Sequence, residues 1–182
     1  MAIKIGNDCF IADSAVIIGN VEIGNRVAIM DNAVIRGDMA DITIGDDTNI
    51  QDNVTIHCDE NKPTHVGNHV SIGHNAVVHG CSIGNYVLLG MGSIVMNGAS
   101  IADGSVVGAG ALVTEGFGCE KRSLVVGVPA KTIRSGDDKL ITYATANAAS
   151  YGELRQKYIS GKFEKIYGRD INFTKRSERS QQ

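Results

Sequence analysis

His57, His74 and His79 are the side chains of this 182-residue chain whose types and spacing can do chemistry. Neutral imidazole is a good ligand for zinc and related divalent metals, and three histidines with one open position form the pattern of a catalytic zinc site. A metal so held lowers the pKa of water to about 7 and supplies a nucleophile at neutral pH. Taken singly, each histidine reads more readily as a solvated corner or a hydrogen-bonded edge residue than as a ligand. What distinguishes them is their register, and a repeat sets that register.

Aliphatic residues recur every six positions, at Ile5, Ile11, Ile17, Ile23, Ile29 and Ile35, then at Ile44, Ile50 and Ile56. They resume at Val66, Ile72 and Val78, and again from Ile83 through Leu89, Val95, Ile101, Val107 and Val113. All 18 slots hold Ile, Val or Leu, a regularity that a plain antiparallel sandwich with period-two alternation does not produce. Hexapeptide periodicity predicts an all-β solenoid, a left-handed parallel β-helix in which three six-residue sides make a coil of about 18 residues. Successive coils stack at roughly 4.8 Å. Gly6, Gly24, Gly45, Gly67, Gly73, Gly84, Gly90 and Gly108 follow their slots and are expected at tight corners with unusual backbone angles. The nearby Asn and Asp residues tolerate left-handed backbone.

Composition fits this scheme. Only 5% of residues are aromatic and none is Trp, as expected of a core of stacked aliphatics. The net charge of −3 offers no basic footprint for nucleic acid. The N-terminus has no apolar run of signal or membrane-span length. Cys9, Cys58, Cys81 and Cys119 show no CxxC spacing, so a reducing cytoplasm is the expected setting. Cys81 falls where small inward residues fall and is read as core. The β-helix is expected over 1–134. Over 135–167, Leu140, Ala144, Ala148, Tyr151, Leu154 and Tyr158 recur at helical spacing after Asp137 and Asp138, which predicts a helix along the solenoid. Residues 168–182 read as a polar tail.

Counting coils places the histidines. Ile35 to Ile56 is 21 residues, Ile56 to Val78 is 22 and Val78 to Val95 is 17, each one coil with a short insertion or deletion. Arg36, His57, His79 and Met96 therefore form a column, with His57 and His79 on adjacent rungs. His74 belongs to the preceding side, above Asp52 with Gln51 alongside. One chain cannot easily aim it at the other two, whereas a neighbouring copy in a closed three-fold assembly can. Asp52 could fix a histidine tautomer or simply turn a corner. Arg36 could grip a carboxylate or be a solvated cation, and Asn49 and Gln51 could belong to an amide ladder. His65 and His69 lack such register and read as surface residues.

The segments VIRGD (Val34–Asp38), TNIQDNVTIH (Thr48–His57), PTHVG (Pro63–Gly67), IGHNAVVHGC (Ile72–Cys81) and VGVPAK (Val126–Lys131) resemble the γ-class carbonic anhydrases, trimeric left-handed β-helices. The resemblance spans about Ile11 to Arg134. It implies reversible hydration of CO2 to bicarbonate by a metal-bound hydroxide at a homotrimer interface. It also implies Zn2+, with Fe2+ or Co2+ as alternatives, bound by His57 and His79 of one chain and His74 of the next. Gln51 would hydrogen-bond the hydroxide, Arg36 and Asp52 would pair across the interface, and Asp38 and Asn49 would support them. Tyr151 resembles a helix tyrosine that some branches bring to the pocket. The chain departs from the archaeal pattern at Met39, where that branch carries a proton-relaying glutamate. Only Asp59 and Glu60 of the short loop stand in reach as substitutes.

Two other readings stay open. A hexapeptide acyltransferase using coenzyme A shares VGVPAK and Arg134, but its single general base does not require stacked histidines. A metal-binding trimer with little or no anhydrase activity fits the loss of the relay. No partner other than copies of itself is indicated.

Overall fold

The computed structural model describes residues 2–167; the polar tail expected over 168–182 lies outside the described residues. Alternating aliphatic and polar residues make short strands, which stack in parallel as a left-handed β-helix of about seven turns with a single C-terminal helix. Three flat faces result, and each aliphatic slot pairs with the slot one coil away. On the first face Ile17, Ile35, Ile56, Val78, Val95 and Val113 stand in one column. The second face stacks Ile5, Ile23, Ile44, Val66, Ile83 and Ile101. The third stacks Ile11, Ile29, Ile50, Ile72, Leu89 and Val107, and adds Val125. The repeat thus resumes for one rung beyond Val113, before the antiparallel hairpin of Leu124–Gly127 and Ala130–Arg134. These columns are the core, and Cys81 is buried within it. Ile5, on the open first coil, stays 47% exposed.

The corner glycines play a different part from the one expected. None of Gly6, Gly24, Gly45, Gly67, Gly73, Gly84, Gly90 or Gly108 has a positive φ. They sit where one coil's backbone meets the next: a Cβ on Gly45 would lie 2.6 Å from the Gly67 carbonyl carbon. Left-handed backbone falls instead two residues on, at Asp8, Arg26, Asp47, His69 and Tyr86, and at Asn32, Asn53 and Asn75 of another corner. Beside the Gly45 corner an amide and carboxylate ladder climbs the stack. The side-chain oxygens of Asn25, Asp46, Asn68, Asn85 and Asp103 each accept a backbone N–H from the coil before, at 2.8–2.9 Å.

Helix α1 (Asp138–Ile159) begins at the N-cap Asp137, whose carboxylate accepts the Lys139 N–H. It packs along the third face, burying Leu140, Ala144, Ala148 and Arg155. Arg155, rather than Leu154, is the buried residue of the last turns; it donates to the Arg26 carbonyl. The helix runs down the stack, from Ile141 against Gly104 to Tyr158 stacked on Phe10. No described helix is long and apolar enough to cross a membrane. The second face turns Lys4, Glu22, Thr43 and His65 outward. The first turns out Val16, Val34, Thr55, Val77, Ile94 and Leu112, and Val16, Thr55 and Ile94 are exposed.

Candidate metal centre

Strands Val34–Ile44, Thr55–His57 and Val77–His79 pair in register, so Arg36, His57 and His79 occupy successive rungs of the first face. The His57 Nδ1 and His79 Nε2 atoms face each other at 3.0 Å, the rings nearly edge-to-face with centroids 4.9 Å apart. Their outer nitrogens are tied to acceptors. His57 Nε2 meets Asp38 Oδ1 at 3.0 Å, and a carboxylate can only accept, so that nitrogen carries the hydrogen. His79 Nδ1 meets Asn97 Oδ1 at 2.8 Å. The Asn97 amide is oriented by its own donation to Asp59 at 2.7 Å, which leaves Oδ1 as the acceptor.

With both outer nitrogens protonated, neutral rings present two lone pairs to each other. That arrangement repels unless a proton, which would make one ring a donor to the other, or a metal ion lies between. A tetrahedral zinc with bonds of 2.0–2.1 Å would hold two nitrogens about 3.3 Å apart, a few tenths more than the separation found. The donor set therefore fits a divalent metal, and the tied outer nitrogens are the arrangement that orients ligating histidines.

His74 lies on the corner of the third face, where Asp52 Oδ2 holds its Nδ1 at 2.9 Å and leaves Nε2 as the lone-pair atom. It carries the same kind of tautomer lock as the other two, yet it does not join them. Among the described residues no group of three His, Cys, Asp or Glu could hold a metal. Within one chain the facing pair of nitrogens lies on one face and His74 Nε2 at another corner.

The remaining predicted residues gather around these halves. Gln51, buried, donates from Nε2 to Asn49 Oδ1 at 3.1 Å and accepts the His74 N–H at 3.2 Å. Asn49 in turn donates to Ser71 at 2.8 Å. Arg36 and Asp52 are not brought together within one chain; Arg36 donates to Asp38 at 2.6 Å. That bond first, and the His57 contact second, hold the Asp38 carboxyl below its ordinary range. Tyr151 sits on α1 above Gln51 and His74, its phenol pushed up by burial and then by the negative Asp52. Of the two loop carboxylates, Asp59 reaches the site, 3.9 Å from His79 Nε2, while Glu60 is exposed. Met39 is also exposed. Asn97 was not among the predicted site residues. Its position next to Met96, the residue one coil above His79, was countable, but the direction of its amide was not.

Comparison with known proteins agrees with this architecture. The model of the bacterial transferase hexapeptide family (six repeats) matches residues 2–37 and 80–115. A probable carbonic anhydrase of Methanocaldococcus jannaschii is 44% identical over 84% of this chain and 96% of its own length. The mitochondrial gamma carbonic anhydrase 2 of Arabidopsis thaliana is 35% identical over 86% of this chain and 58% of its own. Among solved structures, a putative acetyltransferase of Bacillus cereus superposes with a TM-score of 0.84 at 38% identity, covering 87% of this chain and 92% of its own. With this repeat, this fold and relatives matched along most of its length, the chain belongs to the hexapeptide-repeat family that includes the γ-class carbonic anhydrases.

Proposed function

We propose that the chain is a γ-class carbonic anhydrase-like metalloenzyme that interconverts CO2 and bicarbonate at a centre shared between copies of a homotrimer. The observation that carries this reading is the facing pair of His57 Nδ1 and His79 Nε2, with both outer nitrogens locked by acceptors. Zn2+, or Fe2+ or Co2+ in its place, would be held by these two atoms and by His74 Nε2 of a second copy. When bound, the metal supplies the Lewis acidity that brings the pKa of water to about 7.

The chain's own residues do the rest. Asp38, Asn97 and Asp52 fix the three tautomers. Gln51, with one Nε2 hydrogen beyond its bond to Asn49, is placed to donate to an oxygen beside His74. Tyr151 closes the helix side of the pocket. The trimer reading is supported by the mainly apolar outward column of Val16, Val34, Thr55, Val77, Ile94 and Leu112. It lies on the face that ends in His57 and His79, so covering it with another copy would complete the centre. The four free cysteines suit a cytoplasmic setting.

Likeness to the acetyltransferase structure and the Val126–Lys131 hairpin favour a second reading, acyl transfer from coenzyme A. That chemistry does not call for paired imidazole nitrogens. Stopped-flow CO2 hydration on protein loaded with zinc, or anaerobically with ferrous iron, separates the readings. Activity is expected to follow metal occupancy and to vanish with metal binding in His79→Ala. Full metal occupancy without hydration would leave a binding trimer, and coenzyme A affinity without metal would favour acyl transfer.

A further inference from the structure

Thr64 is the polar member of an inward column. On the second face it pairs with Ile42, which pairs with Val21, so a hydroxyl stands where the two coils below hold aliphatic side chains. Thr64 is fully buried, and burying a hydroxyl costs free energy unless its hydrogen bonds are made. Here it both donates and accepts. Oγ1 donates to the His57 carbonyl at 2.5 Å and accepts the Gly80 N–H at 2.9 Å. The Gly80 N–H also reaches the His57 carbonyl, at 3.2 Å, which closes a triangle of three polar groups.

The place of that triangle gives it a use. Strands Thr55–His57 and Val77–His79 end at their histidines, so the ladder that keeps the two rungs in register stops there. From His57 the chain enters the loop that carries Asp59, and it rejoins the second face at Thr64. Gly80 turns away from His79 with a φ of 55°. One hydroxyl therefore ties the peptide after His57 to the peptide after His79. The contacts to Asp38 and Asn97 hold the outer edges of the two rings, and the Thr64 contacts hold the backbone from which the rings project. Two nitrogens that share one small ion need both, because metal–ligand distances hold to within about 0.2 Å.

We propose that Thr64 is a positioning residue of the candidate metal centre, whose hydroxyl sets the separation at which His57 Nδ1 and His79 Nε2 face each other. This rests on the preceding reading in taking those two atoms as ligands, and not on the reaction carried out there. Ser105 supplies a control. Its hydroxyl accepts the Ser123 N–H at 3.0 Å and donates to the Glu120 carbonyl at 3.3 Å. That buried residue makes the same kind of bridge between coils, at a corner that holds none of the three histidines.

Zinc affinity, read by competition with a chromophoric chelator and set beside Tm, tests the proposal on Thr64→Val, Thr64→Ser and Ser105→Ala. Thr64→Val keeps the shape, removes the hydroxyl and should bind zinc about 10–100-fold more weakly. Thr64→Ser, which keeps a hydroxyl, should bind zinc nearly as tightly as the parent. Ser105→Ala should lower Tm and leave zinc affinity unchanged. The visible spectrum of the cobalt-loaded protein, which reports ligand geometry, should change in Thr64→Val and not in Ser105→Ala. If Thr64→Val fails to fold, Thr64→Ala decides. Zinc affinity unchanged without the hydroxyl, not restored by Thr64→Ser, or lowered as far by Ser105→Ala would overturn the proposal. CO2 hydration measured on the same proteins keeps the two readings apart. Zinc binding that depends on the Thr64 hydroxyl, without hydration, sinks the anhydrase reading alone. Hydration with zinc affinity indifferent to that hydroxyl sinks this proposal alone, and a parent that binds no zinc sinks both.

Discussion

Each of the three histidines has one nitrogen fixed by an oxygen acceptor, and that shared feature matters more than their number. A ring free to choose its tautomer spends part of its population with a hydrogen where a metal would bind. Asn97 is the informative case, because His79 is the only one of the three histidines that it contacts among the described residues, through an amide oriented by Asp59. Asn97→Ala is expected to weaken zinc about 10–100-fold, as loss of a ligand-orienting partner does elsewhere. Competition against a chromophoric chelator would show it, and an unchanged affinity would mean that His79 is oriented by packing alone. The column of Arg36, His57 and His79 was legible because it needs only counting. The lock on His79 was not, since an amide's role depends on which way it turns, and that depends on Asp59 a loop away. Likewise Arg36 read from its type alone could pair with any carboxylate; its bond to Asp38 follows from the two-residue spacing along one strand that puts both side chains on the same face.

Strands of two or three residues carry most of this fold, and what lets them stack is the close approach of corner backbones. Gly45 shows the constraint most plainly, with backbone and the Asn68 side chain both inside the space of a Cβ. Gly45→Ala should destabilise the protein by about 1–3 kcal/mol through overpacking, lowering Tm by roughly 2–10 °C. Gly152, within α1, has nothing within 4 Å of a Cβ. Gly152→Ala should instead stabilise by about 0.5–1 kcal/mol, raising Tm by a few degrees. Thermal unfolding of the two variants beside the parent tests the pair, and a Gly45→Ala protein as stable as the parent would contradict the stacking account. The sequence placed these glycines at corners correctly, but it could not separate a need for backbone freedom from a need for empty space. The helix was legible from its apolar spacing and its Asp start. Arg155 was not, because a buried arginine is recognised by the carbonyl that receives it, 129 residues away.

For the molecule as a whole, several corner carboxylates are tied to donors, and their linkage to pH can be given a sign. Asp47 is held below its ordinary range by the Arg26 hydrogen bond, Asp46 by the Asn25 backbone N–H, and Asp103 by the Lys121 hydrogen bond. Depressed values in the fold mean that the unfolded chain binds more protons below about pH 4, so stability is present above that point and lost as pH falls through the folded values. Burial pushes the Cys81 thiol up to about 12 from 9.0. Above pH 9 the unfolded chain releases that proton and the fold does not, so stability declines again. Tm measured from pH 3 to 11 should form a plateau falling at both ends, with the acid limb shifted by salt; a Tm still rising below pH 4 would contradict these assignments. The ladder from Asn25 to Asp103 has a consequence for how such a molecule can change. Each coil is located by its neighbour rather than by the length of chain between them, so one step along the axis takes 21 residues in one place, 22 in another and 17 in a third. Distance here is counted in rungs, as on a ruler whose marks stay fixed while the string wound around it is let out or taken in, and the two facing imidazoles stay one mark apart whatever their loop becomes.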